Sequence, residues 1–147
     1  MSMYSQLLLK EFKNYENDFY FTTPSYADSA LSEYFYHKHI AVFGAGSKHA
    51  RQDDIITDFK VLNGKNIIIL RKLAPSQNEY ADFFQNIETD KITIKEANFY
   101  FVKGYVFNYE NYRKEVLMMI KEKYYNIPNF LPMPKGKQYF LDKYSFF

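Results

Sequence analysis

The run Asn66-Ile67-Ile68-Ile69-Leu70-Arg71 constrains this chain more than any other stretch. Four large apolar side chains in succession, three of them β-branched, leave no polar face, so a strand built from them has to be covered on both sides. Asn63-Gly64 directly before it reads as a helix stop. Such a strand sits in the middle of a sheet, and the remainder of the chain has to supply the layers above and below it.

The flanking pattern supplies them. Tyr4, Leu8, Phe12 and Tyr15 share one face at helical spacing, predicting an amphipathic helix over 3–15. Residues 18–23 read as a short strand stopped by Pro24, and Ala27, Ala30, Leu31, Tyr34 and Phe35 as the stripe of a second helix. Ile40-Ala41-Val42-Phe43 is a strand. Ile55, Ile56, Phe59 and Leu62 then mark a helix whose first turn holds Asp53 and Asp54, where the macrodipole favours carboxylates.

Ser76-Gln77-Asn78-Glu79 after Pro75 is a capping-box pattern opening a short helix with Tyr80, Phe83 and Phe84. Residues 92–94 and 99–107 have no room for a helix between them, so they pair antiparallel or form one bent strand. Asn108 caps a last helix carrying Tyr109, Tyr112, Val116, Ile120 and Tyr124. Pro128, Pro132 and Pro134 predict an extended aromatic tail over 126–147, packed on a single domain spanning 1–147. The expected fold is α/β, a three-layer sandwich whose mixed, mainly parallel sheet ends in an antiparallel pair, an incomplete Rossmann-like arrangement.

Composition narrows the chemistry. With 15 Tyr and 15 Phe the chain is aromatic-rich, which favours sheet and a dense core. No cysteine is present, excluding disulfides, thiolate catalysis and cysteine-held zinc or iron–sulfur centres. A net charge of +2 offers no broad electrostatic footprint for duplex DNA. The opening residues lack a basic, apolar leader and no apolar run reaches membrane length, so a cytoplasmic protein without a membrane partner is expected.

Candidate ligand groups cluster after the second strand. Glycines at a strand end let a backbone approach a phosphate, and a helix start can then hold it, which singles out Gly44, Gly46, Ser47, Lys48 and Arg51 as a ligand-binding loop. The lone G-x-G lacks the third glycine of the dinucleotide fingerprint and the spacing of a P-loop, so an ordinary strand-to-helix turn is the competing reading. His37, His39 and His49 with Asp53 are metal-capable, but no fourth ligand has diagnostic spacing and no metal site is expected. Ser47, His49 and Asp53 are too close in sequence to assemble a triad. Lys48, Arg51, Lys60, Lys65, Arg71 and Lys72 could form a basic edge with Tyr26 and Tyr36 as stacking platforms, but the small net charge favours a solvated helix face and core tyrosines.

The order of elements, with Thr23-Pro24-Ser25-Tyr26 after a strand and Phe99-Tyr100-Phe101-Val102-Lys103-Gly104 in the terminal hairpin, resembles a known family. Residues 18–147 look like the C-terminal half of the Rossmann-like catalytic domain of S-adenosylmethionine-dependent DNA methyltransferases that methylate exocyclic amines. Arg51-Gln52-Asp53-Asp54 and the aromatic tail add to the likeness less specifically. In that family an Asp, Asn or Ser followed by two prolines and an aromatic grips a flipped base, the polar group accepting hydrogen bonds from the amine and the ring stacking on the base. The resemblance implies those roles for Thr23, Pro24 and Tyr26, with Thr23 and Ser25 departing from the pattern. It also implies S-adenosylmethionine as cofactor, yet residues 1–17 hold no glycine for the family's cofactor loop. The expectation is a methyltransferase-like domain without a complete cofactor site or independent catalysis, acting as a binding or accessory protein for nucleic acid or nucleotides. A phosphate- or nucleotide-utilising enzyme at Gly44–Arg51 and a homodimeric interaction protein are the alternatives.

Overall fold

The computed structural model describes residues 10, 13, 15, 17–25, 40–45, 51, 53, 57–94, 96–125 and 135–144. It is mixed α/β, built on a five-stranded mixed sheet in the order β2-β1-β3-β5-β4. The strands are β1 (Tyr20–Thr23), β2 (Ala41–Val42), β3 (Ile67–Arg71), β4 (Phe84–Ile94) and β5 (Ala97–Phe107). β3 lies at the centre, as its apolar run requires. Ile67 and Ile69 point into one core and Ile68 and Leu70 into another on the opposite face, and Ile67, Ile68 and Ile69 have no exposed surface.

The sheet is not mainly parallel. β1 pairs parallel with β2 and with β3 over two short ladders, whereas β5 runs antiparallel to β3 from Ile67↔Gly104 to Arg71↔Tyr100. β4 and β5 form a long hairpin from Phe84↔Phe107 to Ile94↔Ala97. The expected strand at 92–94 therefore extends back to Phe84, which starts β4 instead of ending a helix. The sequence 85–91 hid this because most of its residues are exposed, and an edge strand exposed on both faces shows no apolar alternation.

One face is dominated by aromatics. Phe43 packs on Phe59, Phe83, Phe84, Phe107 and Tyr112, with ring centroids 4.7–6.2 Å apart. This face carries α1 (Tyr109–Tyr112), a π-helical segment (Arg113–Leu117), α2 (Met118–Tyr124) and α3 (Lys135–Tyr144). Asn108 caps α1 as its sequence position predicts, its side chain accepting from the Asn111 N–H at 3.1 Å. Over the other core, Tyr15 tilts against Phe101 at 6.5 Å and Phe19 meets Tyr105 edge-on at 5.5 Å. Lys10, Lys13 and Tyr15 are helical, in line with the predicted first helix. The helix expected over 27–35 lies outside the described residues.

Two helix expectations need correction. The predicted 53–62 helix is interrupted: a turn closes at Thr57, whose N–H bonds the Asp53 carbonyl at 2.9 Å, and a 3₁₀ turn over Phe59–Leu62 starts afresh with Asp58 as its cap. The break leaves the Thr57 carbonyl and Phe59 N–H in a buried place. The Tyr144 hydroxyl serves both, at 3.2 Å each, and the Lys143 ammonium donates to the same carbonyl at 2.5 Å. Those partners come from α3, a helix where an extended tail was expected. The prolines precede that helix instead of interrupting it, and Phe140 and Tyr144 bury completely in the aromatic core.

A bulge interrupts β5 beside β3. Ile67 faces Gly104, yet the Phe107 N–H bonds the Lys65 carbonyl, one residue out of step. The extra residue, Val106, adopts φ +58°, an unusual value for a β-branched side chain, and its N–H is taken by Asn66 Oδ1 at 3.1 Å.

Candidate ligand-binding cleft

The carboxyl end of β3 leads through Arg71-Lys72-Leu73 into Ala74-Pro75-Ser76-Gln77-Asn78-Glu79-Tyr80, and residues 74–80 build one wall of a cleft of about 550 Å³. The capping pattern read from sequence is present, opening a turn and a 3₁₀ segment (Ala81–Phe83) in place of an α-helix. Glu79 Oε2 accepts from the Ser76 N–H at 3.0 Å, and the Glu79 N–H returns to the Ser76 carbonyl at 3.1 Å. Asn78 sits at φ +64°, which an Asn tolerates better than most side chains. The far end is tied down by the Asn108 N–H on the Phe83 carbonyl at 2.7 Å and by Asn111 Nδ2 on the Asp82 carbonyl at 2.7 Å.

The opposite wall is the hairpin. Ile87 and Thr89 from β4 and Tyr100 and Val102 from β5 supply a floor that is apolar at Ile87 and Val102. Gln77, Asn78, Gln85 and Asn86 set four carboxamides around it. A carboxamide carries a donor beside an acceptor, the pattern that matches the edge of a nucleobase, and that of Asn86 already accepts from the Ile87 N–H at 3.0 Å.

Glu79 is the one charged residue of the lining, and Arg71 stands behind it, bonded to the lining side chains Glu79 and Tyr80. Arg71 Nη1 donates to Glu79 Oε2 in an ion pair and to the Tyr80 hydroxyl at 2.8 Å, and the guanidinium carbon lies 5.7 Å from the Tyr80 ring centroid. The Arg71 side chain is 14% exposed and that of Glu79 36%. Burial pushes the Tyr80 phenol above its ordinary pKa, with the Arg71 charge pulling the other way, so it is a neutral hydroxyl at physiological pH. Glu79, Tyr80 and Tyr100 are the titratable side chains of the lining.

The residues singled out from sequence are placed differently. Gly44 has φ +100°, and its N–H points into the protein, donating to the Tyr112 hydroxyl at 2.9 Å. Arg51 donates through Nη2 to the Ala45 carbonyl at 2.5 Å and lies over the Tyr124 ring, 4.7 Å from its centroid. Both groups hold the strand-end turn against the helices. Gly46, Ser47 and Lys48 lie outside the described residues, as do Tyr26, Tyr36, His37, His39 and His49. Thr23 is 1% exposed and its hydroxyl donates to the Ser25 carbonyl at 3.0 Å, closing the turn at Pro24 internally.

Asp53 is a strand–helix clamp. Its carboxylate accepts from the Val42 N–H at 3.2 Å and the Thr57 hydroxyl at 3.0 Å, covering the outward side of β2. Among the described residues the basic side chains do not gather at one edge: Lys65 lies just before β3 and Arg71 at its end, with the strand between them. Lys65 instead lines a cavity of about 430 Å³ at the amino ends of β1 and β3, with Asp18, Phe19 and Asn66 among its walls. Among the described residues no group of three or more His, Cys, Asp or Glu is placed to hold a metal ion, and no helix is long and apolar enough to cross a membrane.

The cleft residues were visible in sequence in other guises. Ser76 and Glu79 read as a cap, Arg71 as part of a basic edge, and Gln85 and Asn86 carried no signal because β4 was not expected to reach them. Comparisons of the chain with protein-family models, curated proteins and solved structures found no match.

Proposed function

We propose that this chain is a non-catalytic α/β binding domain that takes up a nucleoside or nucleotide in the cleft between segment 74–81 and the β4–β5 hairpin. The carrying observation is the position and lining of that cleft. It lies over the β4–β5 hairpin at the edge of the sheet, walled by the segment that follows the central strand β3. A volume of about 550 Å³, an apolar floor and a few convergent polar groups suit a small planar ligand.

The reading as a binder rests on the same lining. Glu79 is engaged by Arg71 and by the Ser76 N–H, and Tyr80 is a buried phenol whose pKa is raised, so neither is poised as a general base. The likeness to the C-terminal half of amino-type DNA methyltransferases, with an incomplete Rossmann-like three-layer arrangement, belongs to this proposal. It draws on the strand followed by Pro24 and on the terminal hairpin. The internal hydrogen bond of the Thr23 hydroxyl fits a fold used for binding, not methyl transfer.

Isothermal calorimetry with the four common nucleosides, their 5′-monophosphates and S-adenosylmethionine tests the proposal. A nucleoside or nucleotide is expected to bind with a dissociation constant at or below about 1 mM, near 4 kcal/mol of binding free energy, and S-adenosylmethionine to give no heat. Ile87→Arg, which places a charge at a half-buried position of the cleft floor, should abolish that binding in a protein whose thermal melt shows it folded. Binding that survives the change puts the ligand elsewhere, and methyl transfer by the purified chain overturns the non-catalytic reading.

A further inference from the structure

A single carboxylate oxygen, Glu79 Oε2, accepts from both Arg71 Nη1 and the Ser76 N–H at the wall of the cleft. These two donors converge on one point, one carrying a full positive charge. Arg71 is held from behind: it leaves the central strand, its side chain is mostly covered, and it also donates to the Tyr80 hydroxyl. Glu79 stands on a turn and is the more exposed partner, so its side chain can swing to solvent without moving the backbone. An ion pair whose carboxylate partner is this open to water is weak, whereas a phosphate on a preplaced guanidinium is a charge-assisted, geometrically selective contact.

We propose that Glu79 is an internal stand-in for the anionic group of the ligand: the cleft takes nucleoside monophosphates, whose phosphate displaces the Glu79 carboxylate from Arg71 and the Ser76 N–H. The inference rests on the cleft being a nucleoside or nucleotide site and adds the phosphate as the group that Arg71 selects. The base lies toward Gln77, Gln85 and Asn86 and the phosphate toward Arg71. Glu79 raises the threshold for binding, since any anion entering the site has to compete with a tethered carboxylate.

The test compares nucleosides with their 5′-monophosphates by calorimetry on the wild-type chain, Glu79→Gln and Arg71→Gln. The Glu79→Gln change keeps a carbonyl oxygen for the Ser76 N–H and removes the competing charge, so monophosphate affinity should rise about tenfold while nucleoside affinity stays unchanged. Arg71→Gln should reduce the monophosphate to the affinity of the nucleoside. Thermal melts check that each variant folds, and Glu79→Ala replaces Glu79→Gln if the latter does not. Unchanged or weakened monophosphate binding in folded Glu79→Gln, with nucleoside binding intact, overturns the stand-in role alone. No binding of either ligand class to any of the three proteins overturns the cleft assignment and this inference with it.

Discussion

Gly44 shows how a residue chosen for function is occupied by structure. At φ +100° a Cβ meets nothing within 4 Å, so space does not forbid a side chain; the backbone conformation does. Gly44→Val is therefore expected to destabilise the fold by about 1–2 kcal/mol through the left-handed conformation, read as a lower urea midpoint, and not to leave the fold intact as a pure binding change would. Tyr109 makes a second residue-scale prediction. Burial raises its phenol to about 12, the Arg113 charge opposing, so the folded state holds a proton that the unfolded chain releases near 10. Stability should stay level below pH 10 and fall as pH climbs toward 12, with Tyr80 adding to the loss in the same direction. Urea titrations between pH 8 and 11.5 should show that decline, shallower in Tyr109→Phe; a flat profile would contradict it.

Among the elements, the β4–β5 hairpin depends on a glycine in mid-strand. The Phe84 ring lies across Gly104, and a Cβ there would come within 2.5 Å of ring carbons. Phe84 cannot easily retreat, because it is buried and stacked on Phe43 with centroids 5.8 Å apart. Gly104→Ala is expected to cost about 1–3 kcal/mol by overpacking. Combining it with Phe84→Leu should cost less than the sum of the single changes, because a smaller, jointed side chain makes room. Additive losses would mean that the ring does not press on Gly104. The edge of this hairpin is protected in a familiar way: Glu88, Asp90 and Lys91 place charge along β4, and Lys103 ties Asp90 at 2.7 Å across the strand pair.

On the scale of the whole molecule, β3 joins two cores that share one strand. Ile68 lies in the Phe21, Leu70 and Phe101 core, while its neighbours Ile67 and Ile69 lie in the aromatic one. Ile68→Ala should lower stability by about 2–5 kcal/mol. Because both cores hang on the same strand, backbone circular dichroism and tyrosine fluorescence should report a single shared transition in urea. Two separated transitions would show that the two faces melt as independent units.

The sequence by itself determined the central strand, the Asn108 cap, the aromatic stripe of α1 and α2 and the α/β class, because each rests on contacts within a few residues or on an apolar run with no other solution. Tertiary structure decided the rest. The β4 edge reaches Phe84 because its pairing with β5, not its own pattern, makes it a strand, and α3 forms after the prolines because Phe140 and Tyr144 find a core to enter. The 53–62 helix breaks where Tyr144 and Lys143 satisfy the groups that the break frees, partners some 85 residues away that no local reading contains. The same holds for the cleft. Arg71, Glu79 and Gln85 become one site only when a loop from the centre of the sheet folds over the hairpin at its edge, a juxtaposition set by strand order and invisible in spacing.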